Sequence, residues 1–374
     1  MTVIIFILVL AVLIFVHELG HFLVARAFKI RVDAFKIGFG PRILSWKRGE
    51  TEYGLNLIPF GGYVKIFGEN PDVESMSGPD ASRSFVNKPR WQQALVLFAG
   101  VFFNFLFAWI LYVIIFSSGV TASTDGLEKY ADRFQDERIM ITYVGQGSPA
   151  EKAGIRSGDV IKRLNLVDGE SISIDNQINI ESQIQTIQKT IDQSNGNPIS
   201  FEYLRDDTIS NVQIIPITGI VPDKYAIGIA MQSVADIRLP FLNSIYEGGH
   251  YTLVLIRDTA IGLYTFIANI FQGEADFSDV AGPIGIAGIV GSAAKIGFNY
   301  LLIITAIISI NLGVINLIPF PALDGGRILF VGIEGIIRRR IPAKFFNIVN
   351  TVGFVLLMIL MVIVTYKDIA KLFI

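Results

Sequence analysis

The sequence predicts an α-helical polytopic membrane protein with four transmembrane helices, a membrane-associated β-hairpin and one inserted extracytoplasmic α+β domain. Three observations carry that prediction. Of 374 residues, 52% are hydrophobic and only 17% charged, and the mean hydropathy of +0.53 lies well above that of an ordinary soluble domain. Four long uncharged stretches recur along the chain, and a polar block separates the second from the third. The formal net charge is −2, from 31 Lys+Arg and 33 Asp+Glu; with no bulk basic excess, nucleic acid is not an expected partner. Cysteine is absent, which excludes disulfides and thiolate metal sites and leaves His, Asp and Glu as ligands.

The first span begins with residues 2–16, which carry no charge, and its apolar character resumes after His17 and Glu18 as far as Ala27. That is enough for the ~20 residues that cross a bilayer. A cleaved signal peptide would need a basic start and a small-residue cleavage site, whereas the first positive charge comes only at Arg26. Residues 94–116, 296–323 and 345–366 are the other three candidate spans. Residues 239–271 are interrupted by Glu247, His250, Arg257 and Asp258, and fit an interfacial amphipathic helix better. Parity agrees: four spans put the basic residues between Arg26 and Arg48 and those between Arg338 and Lys344 on one, cytoplasmic, side. Both termini and the insert then lie outside the cytoplasm. The expected organisation is a membrane domain in two parts (1–118 and 296–374), the insert at 119–237, and an amphipathic juxtamembrane segment at 238–295.

The insert has strand-like runs (IMITYVG, ISFEYLR, NVQIIPI) and a helix-like run (IESQIQTIQKTI). In GSPAEKAGIRSGDVIKRLN, Ser148 and Pro149 open a short helix that Gly154 ends, and Gly158-Asp159 turn into a strand at Val160. This segment resembles a PDZ domain, a module that binds peptides as an added strand; an unrelated small mixed domain is the competing reading.

HELGH at residues 17–21 is an HExxH pattern. Helical spacing of i, i+4 puts His17 and His21 on one face, where both imidazoles can reach one zinc ion, and Glu18 beside them suits a general base for attack on a peptide carbonyl. The competing reading is a trio merely satisfied inside a helix bundle, but polar groups in a span cost several kcal/mol unless they have a use. A third ligand is offered by NLIPFPALDGG (316–326), where Asp324 is the sole carboxylate between Asp279 and Glu334. Pro319 and Pro321 break the helix just before it, which at membrane depth is tolerated where backbone lines a cavity or is buried in protein. Spans one and three both run inwards, so the two motifs reach the same level. Alternatively, Asp324 is a helix cap.

Together, HELGHFLVARAFKIRVDAFKIGFGP, FGGYVK, the PDZ-like insert, GPIGIA and NLIPFPALDGGR resemble the site-2 protease family of intramembrane metalloproteases, most closely its bacterial regulator-of-sigma-factor type. The resemblance implies zinc on His17, His21 and Asp324, Glu18 as catalytic base, and Asn316 near the substrate backbone or the developing oxyanion; a helix-packing amide is the alternative for Asn316. It also implies cleavage of single-span membrane proteins such as anti-sigma factors or remnant signal peptides, in a bacterial plasma membrane. The family's Gly-xxx-Asn pattern on the second span is matched by Gly100 and Asn104, but Val101 stands where a proline often follows the glycine. The insert has room for one PDZ-like unit, where some relatives carry two.

TEYGLNLIPFGGYVKIFG (51–68) reads as a hairpin with apolar strands on either side of Gly61-Gly62, dipping into the bilayer so that an unwound substrate can pair with an edge. Gly61, Gly62 and Tyr63 are its candidate substrate contacts; Tyr63 can also be an interfacial anchor and Lys65 a snorkelling charge. His250 has no companion at ligand spacing. GPIGIAGIVG (282–291) lacks a nucleotide-loop context and reads as a close-packing loop near the site. Arg338–Arg340 follows from topology and could at most touch anionic lipid. Two other function classes compete: a non-catalytic zinc-containing scaffold that binds partners through the PDZ-like domain, for which Glu18 would be superfluous, and a transporter, for which the spans are few and no repeat is evident.

Overall fold

A computed structural model describes residues 2–69, 73–124, 128–145, 147–166, 171–174, 180–205, 207–221, 224–273 and 281–371. In chain order its helices and strands are α1 (Thr2–Ala27), β1 (Val32–Arg48), β2 (Thr51–Ile66), α2 (Val73–Ser77), α3 (Arg90–Ser118), β3 (Val120–Ser123), β4 (Phe134–Val144), α4 (Pro149–Lys152), β5 (Val160–Leu166), β6 (Ser171–Ser173), α5 (Ile180–Gln193), β7 (Ile199–Arg205), β8 (Thr208–Ile214), β9 (Ile217–Val221), β10 (Lys224–Ala226), β11 (Ile229–Ile237), α6 (Phe241–Gln272), α7 (Pro283–Ile296), α8 (Phe298–Leu317), α9 (Asp324–Ile337) and α10 (Ala343–Lys371). The chain divides into two compact units, Met1–Ile115 with Phe241–Ile374, and Phe116–Pro240.

In the first unit the uncharged stretches form helices because a helix satisfies all its backbone groups internally, which hydrocarbon demands. Among the described residues five helices are long and apolar enough to cross a membrane: those at Thr2–Ala27, Arg90–Ser118, Phe241–Ile270, Phe298–Leu317 and Lys344–Ala370. The additional candidate, α6, is a single helix of 32 residues where the sequence suggested an interfacial segment. Its first half packs on α3: Trp109 Nε1 donates to the Ile245 carbonyl at 2.9 Å, and a Cβ at Gly248 would stand 3.1 Å from the Val113 nitrogen.

The β-hairpin differs from expectation. Its turn lies at Gly49-Glu50, where Gly49 takes φ +65°, and Arg83 ion-pairs with Glu50 across it, holding that carboxyl below its usual range. The two apolar runs flanking Gly61-Gly62 do not pair with each other. Residues 34–37 of β1 lie between them, pairing with 65–62 on one side and with 52–55 on the other, while 42–48 continues alongside 56–51. Gly61-Gly62 is therefore a place of close approach inside β2 and not a turn. A Cβ at Gly61 would stand 2.9 Å from Phe39 Cδ2, and one at Gly62 would stand 3.0 Å from Ile14 Cγ2 on α1.

The GPIGIA segment is also corrected: it begins α7 and is not a loop. Pro283 occupies the first turn, where its missing N–H costs nothing, and Asp368 of α10 accepts hydrogen bonds from the Gly282 and Gly285 amides at 3.2 and 2.8 Å. Gly291 of α7 lies against Thr2, while Val290 and Ile286 share an apolar cluster with Val9 and Leu13 of α1, the latter about one helical turn before His17, so the segment packs closely on α1 as a helix. Residues 274–280 of the predicted juxtamembrane stretch lie outside the described residues.

The second unit is built on a seven-stranded sheet of order β3-β11-β4-β5-β7-β8, with β6 on β5 and a separate β9–β10 ladder. Its core is aliphatic, with Ile139, Ile141, Ile161, Leu164, Ile187, Ile199 and Phe201 all fully buried. The Ser148 hydroxyl accepts from the Glu151 amide at 3.2 Å and so caps α4. Gly154 and Gly158 take φ +83° and +96°, the left-handed conformation that lets the chain leave the helix and enter β5. Asp159 is buried and paired to Arg205 at 2.6 Å.

Candidate metal centre

The i, i+4 spacing on α1 brings the Nε2 atoms of His17 and His21 to 3.2 Å from each other. Asp324 Oδ2 lies 3.1 Å from the first and 3.3 Å from the second. Zinc bonded at about 2.0–2.1 Å to three corners of a tetrahedron requires its ligand atoms about 3.3–3.4 Å apart. The triangle of 3.1, 3.2 and 3.3 Å fits, and two imidazole nitrogens with one carboxylate oxygen match the donor types of catalytic zinc sites. Asp324 Oδ2 is buried with no hydrogen-bond partner of its own, as a ligand oxygen would be. These three residues could hold a metal ion.

The remaining ring nitrogens fix the imidazoles. His21 Nδ1 is 2.8 Å from the Val96 carbonyl, so it donates there and leaves Nε2 with a free lone pair. His17 Nδ1 is 3.1 Å from the Asn104 amide. Asn104 Oδ1 is buried and unpartnered as oriented; exchanging the amide's O and N, which resemble one another in shape, gives the oxygen the His17 Nδ1–H and frees His17 Nε2 in the same way. Asn104 is itself anchored, since the Ser309 hydroxyl of α8 donates to its backbone carbonyl at 2.8 Å.

Glycine sets how close the helices come. A Cβ at Gly20 would stand 2.7 Å from the Ala99 carbonyl carbon, and one at Gly100 would stand 2.8 Å from His17 Cε1. Helices α1 and α3 thus cross backbone to backbone beneath the two imidazoles. The sequence marked Gly100-xxx-Asn104 as a packing pattern but missed the contacts of both residues with the histidines.

Asp324 is delivered as the prolines foretold. α8 ends at Leu317 and α9 begins at Asp324 itself, with Leu323 at the N-cap position; the Asp324 carboxylate therefore faces the histidines and does not cap the helix. Between them Ala322 takes φ +75°, a conformation costly for a residue with a Cβ, and its amide donates to Asn350 of α10 at 3.1 Å. Gly325 and Gly326 are needed because the turn folds back on itself: a Cβ at Gly326 would stand 2.7 Å from the Phe320 carbonyl carbon.

Glu18 faces β2. Its Oε2 accepts from the Val64 amide at 2.9 Å, and a Cβ at Gly62 would be 3.6 Å from its Cγ. Gly61, Gly62 and Tyr63 thus lie on the segment of β2 that runs beside Glu18, with Tyr63 stacked on Phe39 at 6.3 Å. Asn316 is half-buried in the last turn of α8, eight residues before Asp324; no described contact joins it to the histidines. Lys65 is largely exposed, 3.9 Å from Asp33.

Comparison with known proteins gives the family. The family model described as "Peptidase family M50" matches residues 5–360. A Clostridium perfringens protein named "Putative zinc metalloprotease" is 38% identical over 370 residues, covering 99% of this chain and 98% of its own. A protein of the same description from Fusobacterium nucleatum is 32% identical over the full length of both. The zinc metalloprotease RasP of Shouchella clausii is 26% identical, covering 100% of this chain and 99% of its own. The chain therefore belongs to peptidase family M50, the site-2 protease family, and is an integral membrane zinc metalloprotease.

Proposed function

We propose that this protein is an intramembrane endopeptidase of regulated intramembrane proteolysis that hydrolyses peptide bonds within or next to the transmembrane segment of single-span membrane proteins, with anti-sigma factors and remnant signal peptides as substrate types. The observation that carries the reading is the convergence of His17 Nε2, His21 Nε2 and Asp324 Oδ2 within 3.3 Å of one another, on apolar helices and with a carboxylate at the adjacent residue. In this reading those three side chains hold zinc, which supplies Lewis acidity for attack of water on the scissile carbonyl. Glu18 takes the proton from the attacking water and returns it to the leaving amine. Asn104 and the Val96 carbonyl keep both imidazoles in the tautomer that presents Nε2.

A transmembrane helix has to unwind before its carbonyls can be reached, and the freed backbone needs partners at membrane depth. The 62–66 segment is an edge of the β1–β2 ladder, and it runs beside Glu18. Strand addition there through Gly61, Gly62 and Tyr63 would lay the substrate along the site, and the Asn316 amide would donate to its backbone.

α1, α3, α8 and α10 are the four spans of this reading, and α6 lies at the interface. That assignment keeps both basic clusters cytoplasmic, with the termini and the second unit outside. The second unit acts as a PDZ-like filter on substrates. Supporting this, among the described residues β3 and Thr124 cover β11 at 233–237, and a groove lined by Gln185, Gln188, Asp192, Ile227, Ile229 and Met231 runs between α5, the β9–β10 ladder and the beginning of β11, suited to a peptide end.

The test is reconstituted cleavage of a single-span substrate with zinc analysis. Glu18→Gln is expected to retain one zinc per chain and lose turnover; unimpaired turnover in that variant would overturn the mechanism.

A further inference from the structure

We propose that Arg327 and Glu69 form a positioning pair that holds the helix bearing Asp324 in register with the strand that holds Glu18. The inference rests on the proteolytic reading above. Arg327 lies three residues after Asp324, on the first turn of α9. Its guanidinium is ion-paired to Glu69, with side chains 29% and 19% exposed, and it is within electrostatic range of Glu18. Glu69 belongs to the turn leaving β2, and its amide donates to the Ile66 carbonyl at 3.2 Å. That turn is fixed to its surroundings: the Phe67 amide donates to the Arg31 carbonyl at 2.9 Å, and the Phe85 amide to the Phe67 carbonyl at 2.8 Å. Five residues earlier on the same stretch, the Val64 amide holds the Glu18 carboxylate. A continuous path thus runs from the base, through the end of β2 and the ion pair, to the third ligand.

A second pair lies on the same side of α9, seven residues on, where Arg90 Nη1 meets Glu334 Oε2 at 2.7 Å. Between the two pairs, Ile328 and Val331 join an apolar cluster with Phe22, Phe85 and Leu97. All four charged side chains line one cavity together with Gly68 and Phe330. A partly buried ion pair is not by itself a gain over an apolar contact. What it adds is direction, because a guanidinium and a carboxylate meet in few geometries. Direction matters here: a rotation of α9 by about 10° moves an atom ~5 Å from its axis by about 0.9 Å, whereas a metal ligand tolerates about 0.2 Å. The apolar cluster can slide; two ion pairs seven residues apart resist rotation. The pair therefore acts on the site through the position of Asp324.

The test uses the full-length protein, with zinc affinity from chelator competition and kcat and KM from cleavage of a single-span substrate. The variants are E69Q, R327Q, E69R, R327E and the swap E69R/R327E. Each neutral variant is expected to lower zinc affinity and kcat by about tenfold or more, as losses in a metal site's outer shell do, with KM within about twofold. The swap is expected to recover most of what either single reversal loses. Inserted, folded E69Q and R327Q proteins with wild-type zinc affinity and kcat would overturn the proposal, and so would a swap no better than the single reversals. Should the reversals fail to insert, the neutral pair decides alone. A wild-type protein that cleaves nothing would count against the proteolytic reading, and the zinc titration would still decide the positioning pair.

Discussion

Replacing Gly100 by alanine tests the crossing of α1 and α3 at its tightest point. The added Cβ would stand 2.8 Å from His17 Cε1 and 2.7 Å from His21 Cε1, and nearer still to His21 Nε2. Carbon atoms normally approach to about 3.5–4.0 Å, so the shortfall is roughly 0.7–1.3 Å. Neither imidazole can rotate away cheaply, because Asn104 and the Val96 carbonyl hold their Nδ1 atoms. The displacement therefore falls on the ligand atoms and exceeds the ~0.2 Å that a metal site absorbs. Overpacking of this kind costs about 1–3 kcal/mol; charged to the zinc-loaded state, it lowers zinc affinity about 5- to 150-fold. Alanine is favoured over glycine in a helix by about 0.8–1.0 kcal/mol, so α3 itself should persist. The assay is competition with a chromogenic chelator on detergent-purified protein, alongside cleavage of a single-span substrate. Gly262→Ala is the control, since nothing lies within 4 Å of the Cβ it would add. Gly100→Ala protein with zinc affinity within twofold of wild type and unchanged cleavage would refute the reasoning.

Asp324→Asn is expected to weaken both zinc occupancy and activity, because a neutral amide is a poorer zinc ligand than a carboxylate; wild-type stoichiometry and rate together would remove Asp324 as the third ligand. Asn104→Ala leaves His17 Nδ1 without its partner and should cost about 10- to 100-fold in metal affinity or activity, measured by the same titration; no change in either would show that His17 needs no such support. In this cysteine-free chain, Gln193→Cys on the exposed end of α5 should react with an impermeant maleimide added outside intact cells, and exposed Arg339→Cys only after permeabilisation; the reverse pattern would overturn the four-span topology. Removing residues 127–233 should change which substrates are cut while leaving a minimal transmembrane substrate within about tenfold, or ~1.4 kcal/mol in barrier. An inserted, zinc-loaded deletion protein that cuts nothing would mean that this region organises the active site.

The features legible in the sequence are those set by neighbours a few residues apart. Apolar runs long enough to satisfy their backbones in hydrocarbon locate α1, α3, α8 and α10. The i, i+4 period puts His17 and His21 on one face, and Pro319 and Pro321 stop α8 so that Asp324 starts a new helix. Ser148, Gly154 and Gly158 punctuate α4 and β5 by turn chemistry alone. What the tertiary structure decided depends on which distant surfaces meet. Strand pairing is non-local: the apolar runs on either side of Gly61-Gly62 suggested a hairpin, but 34–37 of β1 competes for both and lies between them. The GPIGIA glycines suggested a loop because their N-terminal cap, Asp368, comes from the last helix of the chain. Gly100 and Asn104 form a common packing pattern in isolation; only the crossing of α3 over α1 turns the glycine into clearance for two imidazoles and the asparagine into a partner for His17. The same holds for Glu18, which HELGH marks as the candidate base, while the Val64 amide that orients it belongs to a strand set by long-range packing.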